Sequence, residues 1–164
     1  MSQTMIYLEE NGLLDQDTLN EQAATASATY HDLSRQIKSA EQRMTEIKIL
    51  QQHIVNYSKT RNVYVGYRKA GYSKKYLAEH EADILLHKAA KKYFDEQRLD
   101  KLPTFKSLQS EYATLMAEKK TIYSDYREAR KRMKELQIAK ANADRILSCE
   151  SKNFTKLKDD LHDK

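Results

Sequence analysis

The sequence predicts an all-α protein. Only three glycines and one proline occur in 164 residues, so long stretches lack any residue that ends a helix. Helix-favouring Ala, Glu, Lys, Gln and Leu dominate these stretches. Their apolar residues recur at alternating steps of four and three, the spacing of a coiled-coil seam. These observations predict a single helical domain over residues 1–164, with long helices and short connections.

A short helix over 1–11 and a long helix over 16–70 are predicted first. Gly12 ends the short helix, and Asp15 can cap the long one. The long helix carries a heptad seam at Leu19, Ala23, Ala26, Tyr30, Leu33, Ile37, Ala40, Met44 and Ile47. Further along, the apolar face moves to a neighbouring stripe that needs another cover, at Leu50, Tyr57 and Tyr64.

A third helical segment over 73–98 can provide this cover. It follows Gly71, and Ser73 can cap it. Its apolar face contains Tyr76, Leu77, Ile84, Leu85, Ala89, Tyr93 and Phe94. We therefore expect a small helical head.

A long return helix over 104–161 follows Pro103, with Thr104 as its cap. Its seam starts at Phe105 and keeps the heptad spacing through Leu108, Tyr112, Leu115, Lys119, Ile122, Tyr126, Ala129, Met133, Leu136, Lys140, Ala143, Leu147, Glu150, Phe154, Leu157 and Leu161. Folded back, the two seams would pair Ala26 with Leu147, Tyr30 with Ala143, Ala40 with Met133, and Met44 with Ala129. Because each alanine then meets a larger residue, we predict a long antiparallel coiled-coil hairpin with the head at its tip. A parallel homodimer, in which each helix pairs with its copy, is the alternative.

Positive charge is concentrated in the middle of the chain, whose net charge is +5. Residues 47–106 carry 13 basic and 6 acidic side chains, against 3 and 8 in residues 1–46. No acidic residue lies between Ile47 and Ala78, where seven cations alternate with five tyrosines. Neutralising phosphates releases condensed counterions, so this block favours a polyanion, with DNA as the first candidate. The predicted DNA-binding residues are Lys59, Arg61, Tyr67, Arg68, Lys69, Tyr72, Lys74, Lys75 and Tyr76.

Phosphate contacts would supply most of this binding, and Tyr67, Tyr72 or Tyr76 could stack on exposed bases. The structural alternative is a solvated basic rim around tyrosines that belong to the core. A second basic cluster could extend a DNA track, although nearby acids could neutralise it, at Arg127, Arg130, Lys131, Arg132 and Lys134. Gly66 within a helix indicates a close approach of another stretch of backbone, a hinge or a tolerated glycine.

Sequence patterns for catalysis are absent. His80 and His87 do not form a tight metal-binding pair, so packing or surface roles are expected, and we predict no metal and no cofactor. There is no glycine-rich phosphate loop and no catalytic triad order. Lone Cys149 allows no internal disulfide, and no apolar run could span a bilayer. We expect a cytoplasmic protein that is not an enzyme.

Two stretches also resemble a known family. These are HIVNYSKTRNVYVGYRKAGYSKKYLAEHEADILLHKAAKKYFDEQ from His53 and KLPTFKSLQSEYATLMAEKK from Lys101. They are similar to the C-terminal region of relaxases, the mobilisation nucleases of conjugative elements in Gram-positive gut bacteria, and QTMIYLEENGLLD from Gln3 looks similar to the middle of those proteins. The catalytic domain of that family has no counterpart here, so none of the eleven tyrosines inherits its nucleophile role. The resemblance implies an isolated helical region with an accessory part in DNA processing.

Three functional hypotheses remain open. The first is a non-catalytic DNA-binding module of a mobilisation relaxase, which binds single-stranded or duplex DNA through its basic tip. A second is a coiled-coil stalk that docks the relaxase to a transfer-machinery protein or to a second copy. A remnant without a partner is the third. The chain could be a monomer or a homodimer.

Overall fold

A computed structural model describes residues 2–162 and contains helices only in that range. The five helices are α1 (Gln3–Glu10), α2 (Gln16–Lys69), α3 (Lys74–Glu79), α4 (Glu81–Glu96) and α5 (Phe105–His162). The expected all-α class is thus confirmed. The head segment predicted over 73–98 is two helices, because His80 ends α3 and begins α4.

Helix starts follow the predicted caps. Backbone amides of Thr18 and Ser107 donate to the side chains of Asp15 and Thr104, at 3.1 and 3.0 Å. Ser73 Oγ accepts a longer bond of 3.4 Å from the Tyr76 amide. These oxygens satisfy first-turn N–H groups that have no partner within the helix. The caps that the sequence predicted for α2, α3 and α5 are therefore confirmed.

The chain divides into two compact units. Unit 1 comprises Met1–Ile37 and Lys120–Lys164, as far as the structure describes them, and unit 2 comprises Lys38–Lys119. Long helices α2 and α5 each contribute to both units. Each unit has a hydrophobic cluster of its own.

In unit 1, α1 and the following turn cover α2 and α5. The buried cluster contains Leu8, Leu13, Leu19, Ala23, Ala26, Leu136 and Ala139. Gly12 has φ +65°, which reverses the chain after α1, and the Leu13 amide then donates to the Leu8 carbonyl at 2.7 Å. This bond is typical of a helix end closed by a left-handed residue. It brings Leu13 into the core beside Leu8.

In unit 2, α4 packs on the second half of α2. Ile47, Leu50, Ala90, Phe94 and Leu108 form the buried cluster, with Tyr57 and Tyr93 beside it. Leu85, expected in the apolar face of the head, is instead 56% exposed, and Ala89 is also exposed. The buried face of α4 is one step further round, at Ile84, His87, Ala90 and Phe94.

Segments of α2 and α5 within unit 2 run in opposite directions. Glu41 pairs with Lys119 at 2.8 Å, and Arg43 forms a bidentate ion pair with Glu111 at 2.7 and 3.1 Å. Gln51 donates to the carbonyl of Phe105 at 3.4 Å. The first residue of α5 therefore lies beside Gln51 and not beside the end of α2.

The predicted register between the long helices is wrong. Tyr30 was expected to meet Ala143, but its hydroxyl lies 3.2 Å from that of Tyr126. Ala26 packs in the cluster of unit 1, whereas its expected partner Leu147 is 43% exposed. The prediction assumed that the return helix begins beside the last turns of α2. Helix α4 covers those turns, so α5 begins beside an earlier part of α2, near Gln51.

Candidate nucleic-acid interface

Six cations of the acid-free block are exposed in unit 2. They lie on the second half of α2 and at the start of α3, at Lys59, Arg61, Arg68, Lys69, Lys74 and Lys75. Within residues 2–162, the ion pairs found involve other cations. Lys48, the seventh cation of the block, lies over the Tyr112 ring at 4.5 Å. Six of the seven positive charges are therefore available to an external anion.

The turn between α2 and α3 arranges part of this surface. Gly71 and Tyr72 both have positive φ, at +66° and +58°, and the Tyr72 amide donates to the Tyr67 carbonyl at 3.0 Å. This left-handed turn ends α2 and leaves Tyr72 57% exposed. Tyr72 lines a groove of about 400 Å³ together with Val65, Arg68 and Lys69. We call this set of exposed cations with Tyr72 the basic tip.

Of the three tyrosines expected to stack on bases, one is buried and one is half-buried. Tyr67 is 7% exposed, with Tyr72 edge-on at 5.2 Å and Tyr76 stacked at 6.1 Å. Tyr76 is half-buried, and its hydroxyl donates to the Val63 carbonyl at 3.0 Å. The assignment of Tyr67 as a stacking residue is thus corrected to a role in the core of the head, whereas the assignment of half-buried Tyr76 stays a prediction. Tyr72 is the most exposed of the three.

A histidine stack supports the head from inside. The His87 ring lies between the rings of Tyr57 and Tyr64, with both centroid distances 4.4 Å and both pairs stacked. Its Nδ1 lies 3.0 Å from the Thr60 hydroxyl, and burial lowers the pKa of His87. The Thr60 hydroxyl donates its single hydrogen to the Asn56 carbonyl at 2.6 Å, so Nδ1 of His87 carries a hydrogen and donates to Thr60. The sequence predicted a packing or surface role for His87, but gave no sign of this network.

Sequence reasoning also missed the lysines of α4. Lys88, Lys91 and Lys92 line a groove of about 510 Å³ with Tyr64 and His87. Lys88 lies over the Tyr67 ring at 5.7 Å, and Lys92 pairs weakly with Glu96 at 3.9 Å. These three lysines were overlooked because acidic residues lie close to them in the sequence. Their spacing of three and four residues next to the apolar face was the available signal.

The second predicted basic cluster lies on α5 in unit 1. Arg127 packs over the Tyr123 ring at 4.7 Å, and Arg132 contacts Gln22 at 3.5 Å. All five cations of this cluster are exposed. The suggestion that they extend a DNA track stays a prediction.

No group of three or more His, Cys, Asp or Glu side chains within residues 2–162 is placed to hold a metal ion. In the same range, the helices lack the combination of length and apolar character that a membrane span requires. No protein-family model, curated protein or solved structure matches the sequence. The resemblance to relaxases therefore stays a prediction.

Proposed function

We propose that this chain binds nucleic acid, with DNA as the first candidate, through the phosphate contacts of the basic tip. The observation that carries the proposal is the group of six exposed cations, none of which forms an ion pair with another residue of 2–162, next to exposed Tyr72. Surfaces of helical proteins usually intersperse both signs of charge, so an unpaired group of positive charges creates a field that attracts a polyanion. The contacts position the chain on the phosphate backbone without reading base sequence.

The test is fluorescence-anisotropy binding of labelled single-stranded and duplex oligonucleotides across a salt series. The variant carries Arg68, Lys69, Lys74 and Lys75 all changed to Gln. We expect the native chain to lose affinity steeply with salt, because each phosphate contact contributes about 0.9 to the log–log slope for duplex DNA. The variant should bind more weakly and show a shallower slope.

A matched control removes four positive charges elsewhere. Lys120, Lys140, Lys152 and Lys156 are exposed residues of α5 in unit 1. Changing them all to Gln lowers the net charge by the same amount as the tip variant. If both variants lose affinity equally, net charge and not the tip is responsible. Absence of binding by the native chain at low salt would contradict the proposal.

A protein-docking stalk is the second candidate, and a different part of the molecule supports it. Every residue of α5 from 144 to 162 is exposed, although apolar residues recur there at heptad spacing. Such a seam is typical of a coiled coil that packs on another helix. Saturable binding to a protein partner, without affinity for DNA, would favour this function over the first.

Two finer assignments belong to the same proposal. We infer that α2 and α5 form an antiparallel coiled-coil hairpin with α3 and α4 as its head, supported by the opposite directions of their contacts within unit 2. We also propose that the module serves a mobilisation relaxase, which rests on the quoted sequence resemblance. DNA binding by the tip is compatible with that context but does not require it.

A further inference from the structure

The exposed C-terminal part of α5 continues an apolar seam that is buried in the preceding turns of the same helix. Leu136 and Ala139 belong to the core of unit 1, and Ala143 packs against it. Beyond Ala143 the same heptad positions are 43 to 74% exposed, at Leu147, Phe154, Leu157 and Leu161. Helices α1 and α2 of unit 1 cover the seam only up to the region of Ala143. About four further turns, from Leu147 to Leu161, therefore have no cover within residues 2–162.

An apolar groove lies where the covered and uncovered parts meet. It has a volume of about 280 Å³, and its lining includes Leu8, Leu14, Ala143, Ile146 and Leu147. Leu14 is 61% exposed at its rim. The groove is large enough for an aliphatic side chain from another molecule, and the seam leads directly into it.

We propose that a second copy of this chain covers this seam, with the two α5 ends running antiparallel. With Glu150 of one copy opposite Phe154 of the other, Leu147 faces Leu157 and Ala143 faces Leu161. Each small or polar position then meets a large apolar one, as close packing requires. Leu161 of each copy would fill the groove beside Ala143 of the other.

Charge complementarity favours the same arrangement. Residues 144 and 158 directly follow core positions, so in the antiparallel register Asp144 of each copy flanks Lys158 of the other. A parallel pairing would instead place Glu150 against its own copy within the seam, where two carboxylates repel each other. The second copy thus fits in one direction only. No residue of the basic tip takes part, so this inference is independent of nucleic-acid binding.

The test is sedimentation equilibrium of the full chain over a wide concentration range. We expect a reversible dimer, and a monomer for the variant L157K/L161K. These two leucines are 61 and 74% exposed, so their change leaves the cores intact, which circular dichroism can verify. The matched control is L85K/L86K, which changes two exposed leucines of α4 and should leave the dimer unaffected.

Charge reversal tests the direction. D144K and K158D should each raise the dissociation constant several-fold, because each places like charges together at two symmetric points. The double variant D144K/K158D should return it to within about twofold of the native value. A chain that stays monomeric, a dimer that survives L157K/L161K, or a failure of the double variant to restore association would overturn the proposal. A monomer that uses this seam to bind a different protein would also overturn it.

Discussion

The Tyr76 side chain occupies the space in which any side chain at Gly66 would have to lie. A Cβ atom at position 66 would overlap the Tyr76 hydroxyl and touch the ring carbon that bears it. The hydroxyl is held there by its hydrogen bond to the Val63 carbonyl. The group that approaches position 66 is therefore a side chain, and not another stretch of backbone as considered from the sequence.

Replacing Gly66 by alanine should destabilise the protein despite the better helix propensity of alanine. Alanine gains about 1 kcal/mol within a helix, but Tyr76 must move and its partly buried hydrogen bond to the Val63 carbonyl is lost. We expect a net loss of about 1 kcal/mol in denaturant unfolding. In a Y76F background the hydroxyl is already gone, so the same G66A change should cost less or become favourable. Equal effects in both backgrounds would contradict the proposed contact.

His87 should make the stability of the head depend on pH. Burial favours the neutral imidazole and lowers the pKa of His87 in the folded protein, and the charge of Lys91 adds to this effect. The unfolded chain then binds a proton more readily than the folded one below pH of about 6.5. Stability should therefore be complete above that pH and fall as the pH decreases through it toward the folded pKa.

The measurement is chemical unfolding at several pH values between about 5 and 8. H87F keeps an aromatic ring between Tyr57 and Tyr64 but cannot titrate, so the slope in this range should decrease. H31F is the matched control for the replacement of one histidine by phenylalanine, since His31 is exposed. If H87F keeps the full native slope of unfolding free energy against pH, a group other than His87 is responsible for the pH dependence.

Local signals in the sequence predicted much of the fold. Helix ends depend on residues a few positions apart, so Asp15, Ser73 and Thr104 could be recognised as caps from spacing alone. The register of α2 against α5 could not be predicted in this way, because two heptad seams align equally well at every shift of seven residues. Only the packing of α4 on α2 selects among these shifts.

The exposed positive charges of the candidate site could be predicted from the sequence, whereas the exposure of its tyrosine rings could not. Cations remain exposed in nearly any fold, so an acid-free block of sequence predicts an exposed basic surface. Tyrosine is equally suited to a core and to a surface, and the sequence could not distinguish buried Tyr67 from exposed Tyr72. The Thr60 to His87 bond joins residues 27 positions apart, which no local pattern relates.

Tyr72 should contribute to single-stranded DNA binding more than to duplex binding. Its ring is exposed beside Arg68 and Lys69, and a base can stack on it only where bases are unpaired. Loss of one such stack costs about 1–3 kcal/mol, so Y72A should weaken single-stranded binding about five-fold or more. Anisotropy titrations would compare Y72A with Y72F, which keeps the ring and should bind as the native chain does. Equal losses with duplex and single-stranded DNA would contradict stacking.

Glu150 should limit the strength of the α5 pairing. In the antiparallel register its carboxylate faces an apolar ring of the partner, and the partial loss of hydration opposes association. E150L removes this cost and adds apolar contact at two symmetric layers, each contributing about 1–2 kcal/mol. We therefore expect the dimer to tighten by at least tenfold in sedimentation equilibrium. K152L is the control, because position 152 lies on the opposite side of the helix from the seam and the added leucine should change little. If K152L tightens the dimer as much as E150L does, the gain reflects general hydrophobicity, and Glu150 does not lie in the interface.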